Sequence, residues 1–166
     1  MEEAHGQRED GLRVRPLALS DYCKGFLDLL KQLTTVGEIS SHEFAQRFEE
    51  IINAESSPYS IAVVEAQGHI VASGTLLIEK KFIHHCGSVG HIEDVVVDAG
   101  MRGHRLGQRI INFLTARARE AGCYKVNKNV AGIICIQKEH WEPQLYVHCL
   151  FTSKILEYFP PIHMFS

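Results

Sequence analysis

Residues 90–107 read Gly90-His91-Ile92-Glu93-Asp94-Val95-Val96-Val97-Asp98-Ala99-Gly100-Met101-Arg102-Gly103-His104-Arg105-Leu106-Gly107. The first part, Gly90 to Val97, is dense in β-branched residues and reads as a strand. Ala99 to Gly103 breaks it with two glycines. From Leu106 the residues Leu106, Ile110, Leu114 and Ala118 fall four apart, which predicts an amphipathic helix to Ala121 with Gly122 as its C-terminal stop. A helix N-terminus carries unpaired N–H groups and a partial positive charge. Here it sits directly behind Arg102-Gly103-His104-Arg105-Leu106-Gly107, and Arg109 adds a third arginine. Glycines allow close backbone approach, so the arrangement suits a pyrophosphate. An ordinary strand-to-helix turn with solvated arginines fits the spacing equally well. Neither a Walker A loop nor the three-glycine dinucleotide fingerprint is present.

Outward from this core, Cys123-Tyr124-Lys125-Val126 starts a strand after the helix. A strand–helix–strand crossover should return parallel and right-handed. Upstream, Leu12 to Leu17 alternates as a first strand. Ser20-Asp21 reads as the cap of a helix carrying Tyr22, Phe26, Leu29, Leu30 and Leu33, which Thr34 to Gly37 ends. Ser41 reads as the cap of a second helix with Phe44, Phe48, Ile51 and Ile52 on one face. Tyr59–Val64 and Ile70–Ile78 form a hairpin about Gln67-Gly68, Lys80 to His85 is a basic end to the second of these strands, and Gly87-Ser88 is a break. The order β-α-α-β-β-β-α-β predicts an α+β fold with a mixed central sheet flanked by helices.

The chain has 166 residues, 45% of them hydrophobic, with a net charge of −3. That is enough for one domain with a core. The charge argues against nucleic acid or an anionic membrane as the main partner. No apolar run approaches the ~20 residues of a bilayer span. The acidic stretch 1–11 has no signal-peptide pattern and is expected to be a mobile tail, so a cytoplasmic protein is expected. Five cysteines, Cys23, Cys86, Cys123, Cys135 and Cys149, include no C-x-x-C pair. They read as reduced thiols that fill the core. His84-His85 and His91 lack companions at zinc spacing, so no metal is expected.

The loop Arg102 to Gly107 resembles the acetyl-CoA loop of the GNAT superfamily, Arg/Gln-x-x-Gly-x-Gly/Ala, with Arg105 in place of the inner glycine. Leu33-Thr34-Thr35-Val36-Gly37, Glu79-Lys80-Lys81-Phe82-Ile83-His84, Gly90 to Val97 and Gly122 to Val126 are together similar to one subfamily, the eukaryotic glucosamine 6-phosphate N-acetyltransferases. The resemblance covers residues 12–126, taken as the N-acetyltransferase domain. It implies the GNAT fold and direct acetyl transfer from acetyl-CoA to a sugar amine, without metal. It implies acetyl-CoA contacts at Val95, Val96, Val97, Arg102, Gly103, His104, Arg105, Leu106, Gly107 and Gln108. The pantetheine arm should lie along the strand through backbone groups of Val95 and Val97. It implies substrate contacts at Thr34, Lys81, Phe82, Ile83, His84, Glu93, Asp94, Val95, Tyr124 and Lys125, with Lys81, His84 and Lys125 for the phosphate. Family members are usually homodimers.

Direct transfer needs a neutral amine, a route for its proton and donors for the oxyanion. Glu93 and Asp94 are the catalytic candidates. Regular pleating sends such neighbours to opposite faces, one toward the site. A glutamate near pKa 4.3 is a weak base at neutral pH unless burial raises it, so it acts through water or orients the amine. Two exposed carboxylates at a strand end would look the same.

From about residue 127 the sequence departs from the family. Members continue with a helix bearing Asn-Val-x-Phe-Tyr, whose tyrosine stabilises the CoA thiolate, and a closing strand with an arginine for the sugar phosphate. Residues 127–166 contain neither pattern, so an incomplete or altered C-terminal part of the same domain is expected. Two other readings remain open: a GNAT enzyme acting on another amine, and a weakly active or non-catalytic CoA-binding chain.

Overall fold

The computed structural model describes residues 12–53 and 57–128. Strand β1 (Val14–Pro16) leads through a 3-10 segment (Leu19–Lys24) to helices α1 (Phe26–Leu30) and α2 (Ser41–Phe48) and a π-helical turn (Glu49–Asn53). Then come β2 (Tyr59–Ala66), β3 (His69–Lys80), a single turn α3 (Ile83–Cys86), β4 (Ser88–Val97), a 3-10 turn (Ala99–Met101), α4 (Leu106–Glu120) and β5 (Cys123–Lys128). The strands form one sheet in chain order, β1-β2-β3-β4-β5. β1 to β4 pair antiparallel, and β5 returns parallel to β4, as the crossover requires. The expected mixed sheet with flanking helices is therefore present.

Two apolar layers hold it. Helix α4 presents Leu106, Ile110, Ile111, Leu114 and Ala118, all buried, to Ala62, Val64, Ala72, Leu76, Ile92 and Val95 of the sheet. The close approach depends on Gly74: a Cβ there would lie 2.6 Å from Ile110 Cγ2 and 3.3 Å from Leu114 Cδ1. On the opposite layer Leu17, Phe26, Leu29 and Phe44 cover Val63, Ile70 and Val96. Phe44 anchors α2 between Tyr22 and Phe26, with ring centroids at 5.3 and 6.0 Å. Each buried Val, Leu, Ile or Phe among them contributes about 1.5–3 kcal/mol.

Two helix readings are corrected. The helix expected from Ser20-Asp21 is broken into a 3-10 segment and α1 by Gly25, whose left-handed φ of 77° no continuous helix accommodates. Ala18, not Ser20-Asp21, stands at the cap position, and Asp21 lies three residues inside. It is fully buried, accepts from the Ala18 N–H at 2.8 Å, and takes both guanidinium nitrogens of Arg15 at 2.8 Å. Burial pushes its carboxyl up, but Arg15 and the Ala18 amide more than offset this, so it stays below the usual carboxylate range. The second helix is capped by Ser40 rather than Ser41. The Glu43 N–H donates to Ser40 Oγ at 3.3 Å and the Ser40 N–H to Glu43 Oε2 at 2.8 Å, a reciprocal capping box.

The basic run after β3 is not strand beyond Lys80. His84, His85 and Cys86 have φ of 51°, 55° and 60°, so the chain reverses through left-handed residues before β4. The cysteines are not uniformly core fillers: Cys23 and Cys86 are exposed, and Cys123 is half-buried with its thiol pushed up by that burial. Cys135 and Cys149, the stretch 1–11, and the altered segment beyond residue 128 lie outside the described residues.

Candidate active site

Glu93 and Asp94 sit where β4 departs from regular pairing. Thr75 on β3 faces Glu93, yet Ser73 faces Val96, so β4 has one residue more than β3 over this interval. Asp94 absorbs the extra residue with φ 51°. The side-chain alternation slips with it. Ile92 and Val95, three apart, both pack in the α4 layer, while Val96 packs in the opposite one. The expectation of regular pleating at Glu93-Asp94 is thus corrected: this is a β-bulge, a device that re-aims side chains. Glu93 is half-buried and Asp94 exposed. Val95 and Val96 give their side chains to the core, so only their backbone could meet a cofactor.

Downstream, Asp98 organises the loop into α4. Its backbone N–H donates to the Val71 carbonyl at 2.9 Å, and its Oδ1 accepts from the Gly100 N–H at 2.8 Å. Gln32, at the end of α1, grips the same point with both amide atoms. Its Nε2 donates to Asp98 Oδ2 at 2.7 Å and its Oε1 accepts from the Ala99 N–H at 3.0 Å. The Gln32 bond, with that of Gly100 and the field of Arg102, holds the Asp98 carboxyl below its usual range. Neither Gln32 nor Asp98 was among the expected site residues. They lie 66 positions apart, and no local pattern links them.

The loop itself fits an anion. Gly103 has φ 87°, a left-handed turn that favours glycine. Arg105 is the residue before α4, also left-handed at φ 56°, and provides no side-chain acceptor to cap the helix. No acidic residue stands in the first turn of α4. The leading N–H groups of the helix, from Leu106 to Gln108, therefore have no intrahelical acceptor and no carboxylate competing for them. Arg102, Gly103, His104, Arg105 and Gln108 are exposed around this point, and Leu106 and Gly107 are buried. His104 Nδ1 lies 3.2 Å from the Met101 carbonyl, and Gln108 donates to Asn112 at 2.7 Å. Arg109 donates to the Leu12 carbonyl and so ties the helix start to the segment leading into β1.

The remaining expected contacts gather at the other end of β4. Lys80 pairs with Ser88, and Ser88 with Cys123. Tyr124 stacks on His84 with centroids 4.1 Å apart, and Lys125 faces Val89 in register. Lys81 is ion-paired to Glu79, whose other oxygen lies 2.9 Å from His91 Nε2. Hydrogen bonds from Lys81, then His91, hold the Glu79 carboxyl below its ordinary range. Phe82 and Ile83 project outward, 96% and 62% exposed. From Val89 to Glu93 is four residues, about 13 Å of strand backbone. The structure thus places Tyr124 and Lys125 beside the start of β4 and Glu93 at its bulge, separated along one strand. Thr34 is exposed in the loop after α1, two residues beyond Gln32, along an open trough formed by residues 31–38. Among the described residues no three His, Cys, Asp or Glu side chains are placed to hold a metal, and no helix is long and apolar enough to cross a membrane.

Comparison with known proteins agrees with this fold. The acetyltransferase (GNAT) family model matches residues 24–131. The Arabidopsis thaliana protein named glucosamine 6-phosphate N-acetyltransferase is 47% identical over 116 residues, 69% of this chain and 77% of its own length. The Candida albicans protein of the same name is 43% identical, over 70% of this chain and 78% of its own. The crystal structure of the Arabidopsis thaliana glucosamine-6-phosphate N-acetyltransferase superposes with a TM-score of 0.71 at 38% identity, covering 81% of this chain and 97% of that one. The chain belongs to the acetyltransferase (GNAT) family, and within it to the eukaryotic glucosamine 6-phosphate N-acetyltransferases.

Proposed function

We propose that this chain transfers the acetyl group of acetyl-CoA to the amine of glucosamine 6-phosphate. The product, N-acetylglucosamine 6-phosphate, feeds UDP-N-acetylglucosamine synthesis in the cytoplasm. The observation that carries this reading is the 47% identity to a relative of that name across the bulge and the anion loop. Acetyl-CoA supplies the activated acyl group; the chain's own residues do the rest. The uncapped start of α4 with Arg102 and Arg105 binds the diphosphate. Backbone groups of Val95 and Val97 guide the arm toward the bulge. There Glu93 and Asp94 receive the ammonium of the sugar and draw off its proton directly or through water, so that the neutral amine bonds to the acyl carbon as the C–S bond breaks and CoA leaves, taking up a proton as the free thiol.

Lys81 and Lys125 suit the phosphate by charge, and His84 by its ring N–H. A homodimer is the assembly the resemblance implies, and the exposed Phe82 and Ile83 suit its interface. A thiol-release assay with glucosamine 6-phosphate, glucosamine and a peptide amine tests the substrate assignment. Turnover confined to the first is expected, and turnover only with another amine would overturn it. A second reading, a chain that binds acetyl-CoA without turnover, is favoured by the family match ending at residue 131. It predicts a raised melting midpoint with acetyl-CoA and no product from any amine.

A further inference from the structure

Gln32 belongs to none of the expected sites, but it joins two of them. Toward the acceptor side, its N–H donates to the Leu29 carbonyl at 3.0 Å, and Thr34 is held in the same turn by an N–H bond to Leu30 at 3.2 Å. Toward the cofactor side, its amide spans Asp98 and Ala99, the root of the loop that enters α4. The amide orientation is dictated by chemistry. The Asp98 carboxylate can only accept and the Ala99 N–H can only donate, so Nε2 must face the first and Oε1 the second. Asp98 in turn fixes Gly100 and is anchored on β3 through Val71. A shift of the loop 98–105 therefore pulls on Gln32, and through it on the segment carrying Thr34.

We propose that Gln32 is a positioning residue that couples the acetyl-CoA loop to the acceptor loop, so that each substrate tightens the binding of the other. This rests on the function proposed above. The Gln32 amide is occupied by Asp98 and the Ala99 N–H. It aligns two loops that different elements deliver, and its two hydrogen bonds exist only when both loops are in register. Coupling of this kind is reciprocal: whatever factor the sugar phosphate adds to CoA affinity, CoA adds to sugar affinity.

The polarity of the contact permits a swap. Gln32→Glu sets a carboxylate against that of Asp98 and breaks the bridge. Adding Asp98→Asn restores it. The amide nitrogen introduced at position 98 donates to the carboxylate introduced at position 32, and that carboxylate still accepts from the Ala99 N–H. The amide oxygen at position 98 still accepts from the Gly100 N–H. Coenzyme A binding is measured by calorimetry on the full chain, with and without glucosamine 6-phosphate, which form a dead-end pair. KM for both substrates is measured beside it. The wild type should bind CoA at least about five-fold more tightly when the sugar phosphate is present. That factor should fall to near one in Gln32→Glu and return in the double variant, with KM rising and recovering in parallel. Equal coupling in the wild type and Gln32→Glu, or a double variant no better than Gln32→Glu, overturns the proposal. Circular dichroism and melting of each variant separate loss of coupling from loss of fold, and the double variant retains a readout if Gln32→Glu alone is unstable. If the wild type does not acetylate glucosamine 6-phosphate, the proposed function fails on that result. Gln32 is then judged on CoA affinity alone, which Gln32→Glu must weaken and the swap must recover.

Discussion

Asp94 offers a perturbation in which stability and activity should move independently. Its φ of 51° places a non-glycine residue in the left-handed region, and its side chain is exposed. Asp94→Asn keeps the shape and the tolerance of that region, and removes no buried contact. Folding stability should stay within about 0.5 kcal/mol. The carboxylate's charge-assisted hydrogen bond to the substrate ammonium would be lost, worth about 1.5–3 kcal/mol, so kcat/KM should fall roughly 10–100-fold. Asp94→Gly should match the Asn variant in activity and also fold normally, because glycine accepts the bulge. Asp94→Val should behave differently. A β-branched residue in the left-handed region costs about 1–2 kcal/mol, so its melting midpoint should drop by several degrees. Urea unfolding and steady-state thiol release on the three variants form the assay. Wild-type kcat/KM in Asp94→Asn would remove the carboxylate from the reaction. Wild-type stability in Asp94→Val would refute the bulge as the reason for the backbone there.

Three further outcomes follow from the packing and charge. Asp21→Asn should cost about 3 kcal/mol in urea unfolding, the low end for breaking a buried pair, because Arg15 keeps Glu65 at 2.6 Å. Asp21 is held below its usual range when folded, so its contribution is complete above the unfolded value of ~3.9 and is lost as pH falls through the folded one. Unfolding curves at descending pH should show the wild type losing that margin while Asp21→Asn, with no carboxyl to titrate, loses less. Gly74→Ala should destabilise by about 1–3 kcal/mol, because the new methyl meets Ile110 at 2.6 Å, seen as a lower midpoint with the secondary structure retained. Arg105→Gly should relieve a left-handed backbone and so not lower the melting midpoint. It should weaken acetyl-CoA binding about two- to five-fold, the ~0.5–1 kcal/mol of one exposed charge, with a shallower salt dependence in calorimetry.

The parts of the fold that were legible in the sequence are those whose signal is local. Leu106, Ile110, Leu114 and Ala118 specify α4 by spacing alone, and Gln67-Gly68 marks the hairpin between β2 and β3. The bulge was hidden because Val95, Val96 and Val97 are all apolar, so no polar partner marks the phase at which alternation slips. The break at Gly25 was hidden because Tyr22, Phe26 and Leu29 keep helical spacing across it, and glycine alone does not reveal its φ. Asp21 read as part of a cap, and its burial was hidden because its partner Arg15 lies on a separate element. The left-handed run His84 to Cys86 has no glycine to announce it and is imposed by the β3–β4 connection. For the site, the loop and the adjacent carboxylates were visible. The Gln32–Asp98 bridge was not, because a contact between residues 66 apart leaves no trace in either neighbourhood. Nor did the sequence show that Lys125 pairs with Val89, four residues along β4 from Glu93, since that appears only once the register of β4 and β5 is known.

The proposed reaction is tested most directly by following carbon. Incubation of the full chain with acetyl-CoA labelled in the carbonyl carbon and with glucosamine 6-phosphate should give an amide carbonyl resonance bonded to the sugar nitrogen. It should grow one-for-one with free CoA thiol and be absent when glucosamine replaces its phosphate. Thiol release without that amide, or an amide formed as readily on unphosphorylated glucosamine, would contradict the account.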